Sequence, residues 1–133
     1  MAGMTIGRLA TESGVSADTI RFWERRGVLP APARTAAGYR VYGAGAAGLV
    51  RLGRRLQRLG LTLDEVAGAL RAVADGGATC ESQRWRLESA LGRTEVRLAE
   101  LAALRGDLRT ALAACDAGTC ELAGSRPDPV AAR

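Results

Sequence analysis

The chain has 133 residues with 19 basic and 14 acidic side chains, no histidine, a net charge of +5 and an isoelectric point near 10.0. That length holds one small globular domain and an appendage but no deep core around a spacious catalytic cleft, and the charge favours a polyanionic partner. No apolar run approaches the ~20 residues that cross a bilayer and no signal-peptide order is present at the N-terminus, so a cytoplasmic protein with no membrane partner is expected. Three cysteines, an odd number, point to free thiols or metal ligands and not to a disulfide framework.

Thr5 to Ala10 and Ser16 to Arg26 read as two short helices on either side of Glu12-Ser13-Gly14-Val15, where Gly14 supplies the turn and Ser16 the second N-cap. Ile6, Leu9, Val15, Ile20 and Phe22 are available to pack between them, the pattern of a helix-turn-helix. After Gly27-Val28-Leu29-Pro30 the helical signal stops. Pro32 to Tyr42 carries Arg34, Gly38, Tyr39, Arg40 and Tyr42, a basic and aromatic segment suited to a hairpin or wing. Ala46 to Leu59 and Leu63 to Ala74 form a further helix pair parted by Gly60, the second opened by a capping box of Thr62 and Glu65. Asp75-Gly76-Gly77-Ala78 breaks the pattern, and Thr79 is placed to cap a fifth helix beyond it.

That long helix is expected from about Cys80 to Ala114. Leu87, Leu91, Thr94, Leu98, Leu101, Arg105, Leu108 and Leu112 recur in alternating steps of four and three, a heptad seam that a lone helix cannot bury. Cys80 and Cys115 share one phase of that seam, yet the helix between them spans about 50 Å, whereas thiolates that share a metal lie within ~2.3 Å of it. Two copies packed antiparallel would bring Cys80 of one chain to Cys115 and Cys120 of the other, giving two equivalent sites. Cys80 sits at a helix N-terminus, which favours its thiolate, and Asp116-Ala117-Gly118-Thr119 is a short turn able to fold Cys115 and Cys120 toward one point. With no histidine the donors are sulfur, with Glu81, Asp116 or Glu121 as oxygen candidates. Three soft thiolates suit mercury, cadmium or lead better than magnesium or calcium, and zinc would lack a fourth ligand. A thiol-redox switch using Cys115 and Cys120 is the reading from a different class, although the spacing is not Cys-x-x-Cys and no histidine base exists.

Thr5-Ile6-Gly7-Arg8-Leu9-Ala10, Gly14-Val15, Thr19-Ile20-Arg21, Glu24-Arg25-Arg26-Gly27-Val28-Leu29, Gly38-Tyr39-Arg40-Val41-Tyr42 and Leu59-Gly60-Leu61-Thr62-Leu63-Asp64-Glu65-Val66 together resemble the MerR family of transcription regulators. The resemblance is close over about residues 4 to 70, and the long helix with its cysteines extends it to about 122. It implies a mainly α fold: an N-terminal winged helix-turn-helix, a helix pair and a long antiparallel coiled-coil dimerisation helix. The expected division is residues 1–75 for the DNA-binding domain with connecting helices, 79–114 for the dimerisation helix, 115–122 for a metal-binding loop and 123–133 for a disordered tail. Ser16, Thr19, Arg21 and Trp23 then belong to the reading helix, and Arg34, Tyr39, Arg40 and Tyr42 to the wing. Trp23 stands where the family usually has tyrosine, and a core role for it competes with a DNA contact.

The resemblance also implies a regulator and not an enzyme: a homodimer on double-stranded promoter DNA that represses or idles without inducer. On inducer binding it distorts the promoter so that RNA polymerase finds its two elements aligned. In the mercury-sensing branch, cysteines resembling Cys80, Cys115 and Cys120 bind one mercury(II) ion between subunits. The family's copper(I) and silver(I) sensors have serine at the position of Cys80, so the third thiol argues for a divalent ion, with cadmium(II), lead(II) and zinc(II) as alternatives. The loop between Cys115 and Cys120 is shorter than is usual in metal-sensing members.

Overall fold

The computed structural model describes residues 3–120 and 122. The order of elements is α1 (Ile6–Ser13), α2 (Ala17–Arg25), β1 (Ala33–Arg34), β2 (Arg40–Val41), α3 (Ala46–Arg58), α4 (Leu63–Ala74) and α5 (Cys80–Asp116). Two compact units divide within α5, Met1–Leu91 and Gly92–Arg133. No helix among the described residues is long and apolar enough to cross a membrane. Glu121 and residues 123–133, expected as a possible ligand and a disordered tail, lie outside the described residues.

Helices α1 and α2 are set by their caps. Thr5 accepts from the Arg8 amide at the start of α1, and Ser16 accepts from the Thr19 amide at the start of α2. The first helix runs on to Ser13, beyond the expected end at Ala10, because Gly14 at φ 72° takes the left-handed conformation that closes a helix C-terminus. One position changes role. Phe22, expected to pack between the helices, is 38% exposed beneath the guanidinium groups of Arg25 and Arg26, and Trp23 takes the inner place at 1% exposure.

Trp23 fits because α3 offers no side chain beneath it. A Cβ at Gly53 would come within 2.6 Å of the Trp23 ring and 3.3 Å of Leu70 Cδ1. Around this contact Leu9, Ile20, Val28, Val50, Val66 and Leu70 form the core that joins α1 to α4. The capping box of Thr62 and Glu65 opens α4 where the sequence places it. The strands pair antiparallel with Ala33 opposite Val41 and Arg34 opposite Arg40, and a bridge between Met4 and Tyr42 ties the base of this wing to the chain before α1. At the head of α5, Thr79 and Ser82 exchange backbone-to-side-chain hydrogen bonds at 2.9 and 3.0 Å, completing that cap. Ala90, nearly three turns into that helix, is still buried with the core of the first unit.

Candidate nucleic-acid interface and thiol centre

Helix α2 presents its first turn to solvent. Ser16 is exposed and its Oγ lies 2.9 Å from Thr19 Oγ1, so the two hydroxyls form one polar corner at the helix N-terminus. One turn on, Arg21 is held by Asp18 at 3.1 Å, a surface pair worth little in itself that a phosphate could replace. On the wing, Arg34 Nη1 donates to the Gly38 carbonyl at 2.8 Å and closes the hairpin around Gly38, whose φ is 87°. Tyr39 stands beside that turn at 73% exposure, the most exposed aromatic side chain among the described residues. Arg40 faces partly outward.

Two of the residues expected at the DNA, Trp23 and Tyr42, are buried, and for Trp23 this is the core role that competed with a DNA contact. Trp23 packs in the core against Gly53, leaving no side-chain surface for a phosphate. Tyr42 is 6% exposed and its hydroxyl donates to Glu24, so it anchors the wing and does not reach outward. Burial first, then this bond and the nearby Glu24 charge, push the Tyr42 phenol up to about 12. Arg40 Nε also lies 3.3 Å from Glu24, outside the alignment of a hydrogen bond, as an ion pair on the same nearly buried carboxylate. Glu24 therefore ties β2 to α2 through two partners. Sequence reasoning misses this residue, although a lone acid between Trp23 and Arg25-Arg26 is the signal that marks it.

The thiols occupy the two ends of α5. Cys80 is its exposed first residue, and Cys115 is one residue from its end. Beyond it the chain reverses at once. The Gly118 amide reaches the Cys115 carbonyl at 3.1 Å and the Thr119 amide reaches Ala114 at 2.8 Å, with Gly118 at φ 77°. This reversal returns Cys120 to Cys115, and the two thiols are hydrogen-bonded; the Cys120 thiol holds Cys115 above the ordinary thiol range, chiefly through that bond. None of the three cysteines is in a disulfide. Among the described residues no three histidine, cysteine or acidic side chains of one chain come together to hold a metal. Two sulfurs are paired by the turn, and the third lies at the opposite end of the helix.

The Leu87, Leu91, Leu98, Leu101, Leu108 and Leu112 side chains along α5 are between 47% and 64% exposed, so nothing in the described chain covers the seam.

A family model described as MerR HTH family regulatory protein matches residues 4–73, and a second, MerR, DNA binding, matches residues 50–111. A mercuric resistance operon regulatory protein of Serratia marcescens is 36% identical over 117 residues, 88% of this chain and 80% of the relative. A transcription regulator of Ralstonia metallidurans CH34, solved in complex with lead(II), superposes with a TM-score of 0.77 at 27% identity, over 92% of this chain and 98% of that one. A MerR family regulator lacking the sensor domain, solved bound to promoter DNA, gives a TM-score of 0.55 at 25% identity, covering 84% of this chain and 88% of that one.

Proposed function

The chain belongs to the MerR family of transcription regulators, and from that premise we propose that it is a homodimeric, mercury(II)-responsive regulator that activates transcription by distorting promoter DNA. Residues 1–75 bind the DNA, 79–114 dimerise and 115–122 capture the ion, in the cytoplasm. The observation that carries this reading is the paired thiols of Cys115 and Cys120 at one end of a continuous helix whose other end bears Cys80. Thirty-five residues of helix hold Cys80 about 50 Å from Cys115, far outside the reach of one ion, so Cys80 serves the pair on a second copy.

The donor set is all sulfur in a chain without histidine, which matches a thiophilic divalent ion. Ser16, Thr19 and Arg21 on α2 enter the major groove while Arg34, Tyr39 and Arg40 hold phosphates, the division expected of a reading helix and a wing. Glu24 keeps the two at a fixed angle, so a change at the dimer helix reaches the promoter as a rigid movement. DNA deformation then presents both promoter elements to RNA polymerase. Mercury ranks first because the Serratia marcescens relative is a mercuric resistance regulator; the lead(II) complex of the structural neighbour makes lead, with cadmium and zinc, the second reading.

A cell-free transcription assay on the protein's own promoter, titrated with mercury(II), cadmium(II), lead(II) and zinc(II), tests this. Mercury is expected to activate at the lowest concentration, and Cys80→Ser, Cys115→Ser and Cys120→Ser each to abolish the response. Activation first by another of the four ions moves the inducer to that ion. A mercury response kept by all three variants overturns the thiolate site, and an equal response to peroxide without metal favours the redox switch.

A further inference from the structure

The exposed seam of α5 carries two polar residues among its leucines, and they select one alignment with a second copy. Across an antiparallel pair of helices each layer joins one seam position to a position of the other class on the partner. When Leu98 faces the partner's Leu101, Leu91 faces the partner's Leu108 and Leu112 faces the partner's Leu87. In that same alignment Arg105 falls against the partner's Thr94. Sliding one helix by a heptad, seven residues, sets Arg105 against Leu87 and Thr94 against Leu98, and a slide the other way sets Thr94 against Leu112 and Arg105 against Leu101. Every leucine between Leu87 and Leu112 on the seam meets leucine only in the first alignment.

The flanks agree with it. Beside the seam, Glu88 of one copy comes within two residues of level with the partner's Arg109, an opposite-charge pair on the flanking positions that symmetry repeats at the other end. Glu88 already meets Arg84 of its own helix, and a carboxylate with two oxygens accepts both. We infer that Thr94 with Arg105, and Glu88 with Arg109, are the register-setting pairs of an antiparallel α5 homodimer. A guanidinium on a long stem can lie along the leucines and keep its charge at the edge of the interface, whereas against a leucine it would desolvate with no partner. Leucines and charges alone select this alignment. It nonetheless brings Cys80 level with the end of the partner's helix, where Cys115 and Cys120 lie.

This inference rests on the dimeric reading above, and its test avoids the metal. In the full chain with Cys80→Ser, Cys115→Ser and Cys120→Ser, the pair Leu91→Cys with Leu108→Cys is expected to give a covalent dimer on mild oxidation, and Leu91→Cys with Leu101→Cys to remain monomeric under reducing-agent-free gel analysis. Cross-linking of the second pair instead, of both equally, or of neither overturns the register. In the native background, Glu88→Arg and Arg109→Glu are each expected to raise the dimer dissociation constant about tenfold by sedimentation equilibrium, since reversal places two like-charge pairs in each dimer. Combining them is expected to restore it to within about threefold. A double variant weaker than either single one overturns the Glu88 and Arg109 pairing. A correct register with no promoter response to metal would leave this inference standing and remove the function proposed above.

Discussion

Glu24 concentrates the local energetics of the reading head on one carboxylate. It receives the Tyr42 hydroxyl and faces Arg40 at 3.3 Å, so a single residue of α2 fixes the wing from the inside. Because Tyr42 is pushed up to about 12, its neutral form is the one the fold prefers. The associated stability is therefore fully present below the ordinary phenol value of ~10 and is lost as pH rises through the folded value. Tyr42→Phe is expected to lower stability by about 1.5–3 kcal/mol at neutral pH, the usual worth of a hydrogen bond to a charged group. It should also flatten the loss of stability in the alkaline range. Denaturant titrations at neutral pH and near the folded phenol value check both, and parallel pH profiles for native and variant chains would refute the role given to Tyr42. Trp23 and Tyr42 also mark where sequence alone does not decide between core and DNA contact. Both are aromatic beside arginines, as DNA contacts are, but their burial depends on Gly53, far along the chain, and on Glu24, one helix away.

At the scale of elements, boundaries are legible wherever a cap is local. The Thr62 and Glu65 box, the Thr79 and Ser82 exchange and the Ser16 cap all lie within three residues of the helix start they fix. Sequence reasoning ends α1 too early because a glycine that reads as a turn also closes a helix in the left-handed conformation, adding the residues up to Ser13. Which of Phe22 and Trp23 faces inward is not legible, since neighbouring apolar residues on a short helix differ only by what the facing helix provides. The turn after α5 is legible as a turn, and its pairing of two thiols depends on one backbone angle. A Cβ on Gly118 would meet nothing within 4 Å, so the φ of 77° is its sole constraint. Gly118→Val is therefore expected to cost about 1–2 kcal/mol at the turn and to weaken mercury(II) binding about tenfold. Gly118→Asn, which tolerates this conformation, should stay within about threefold of native. Competition for mercury against a small dithiol measures both, and native affinity in the valine variant would contradict the role given to this turn.

At the scale of the molecule, the chain carries the parts of a site without closing one. Its leucine seam is left open, its paired thiols stand at one end of α5 and the third thiol at the other. The proposed two-fold pairing would answer all three at once: it would cover the seam, set the register and form two equivalent thiolate sites. The heptad phase makes the open seam readable in the sequence, because a 3.5-residue repeat reports what a helix surface needs without saying what covers it. The most direct test is subunit mixing. Neither Cys80→Ser nor the double variant Cys115→Ser with Cys120→Ser can form a three-thiolate site as a homodimer, but a mixed dimer rebuilds one from Cys80 of the second and the cysteine pair of the first. Equilibrating the two purified variants and measuring mercury(II) retained against a competing thiol is expected to show one tightly bound ion per mixed dimer. Retention no greater than the unmixed variants show would contradict a site shared between subunits.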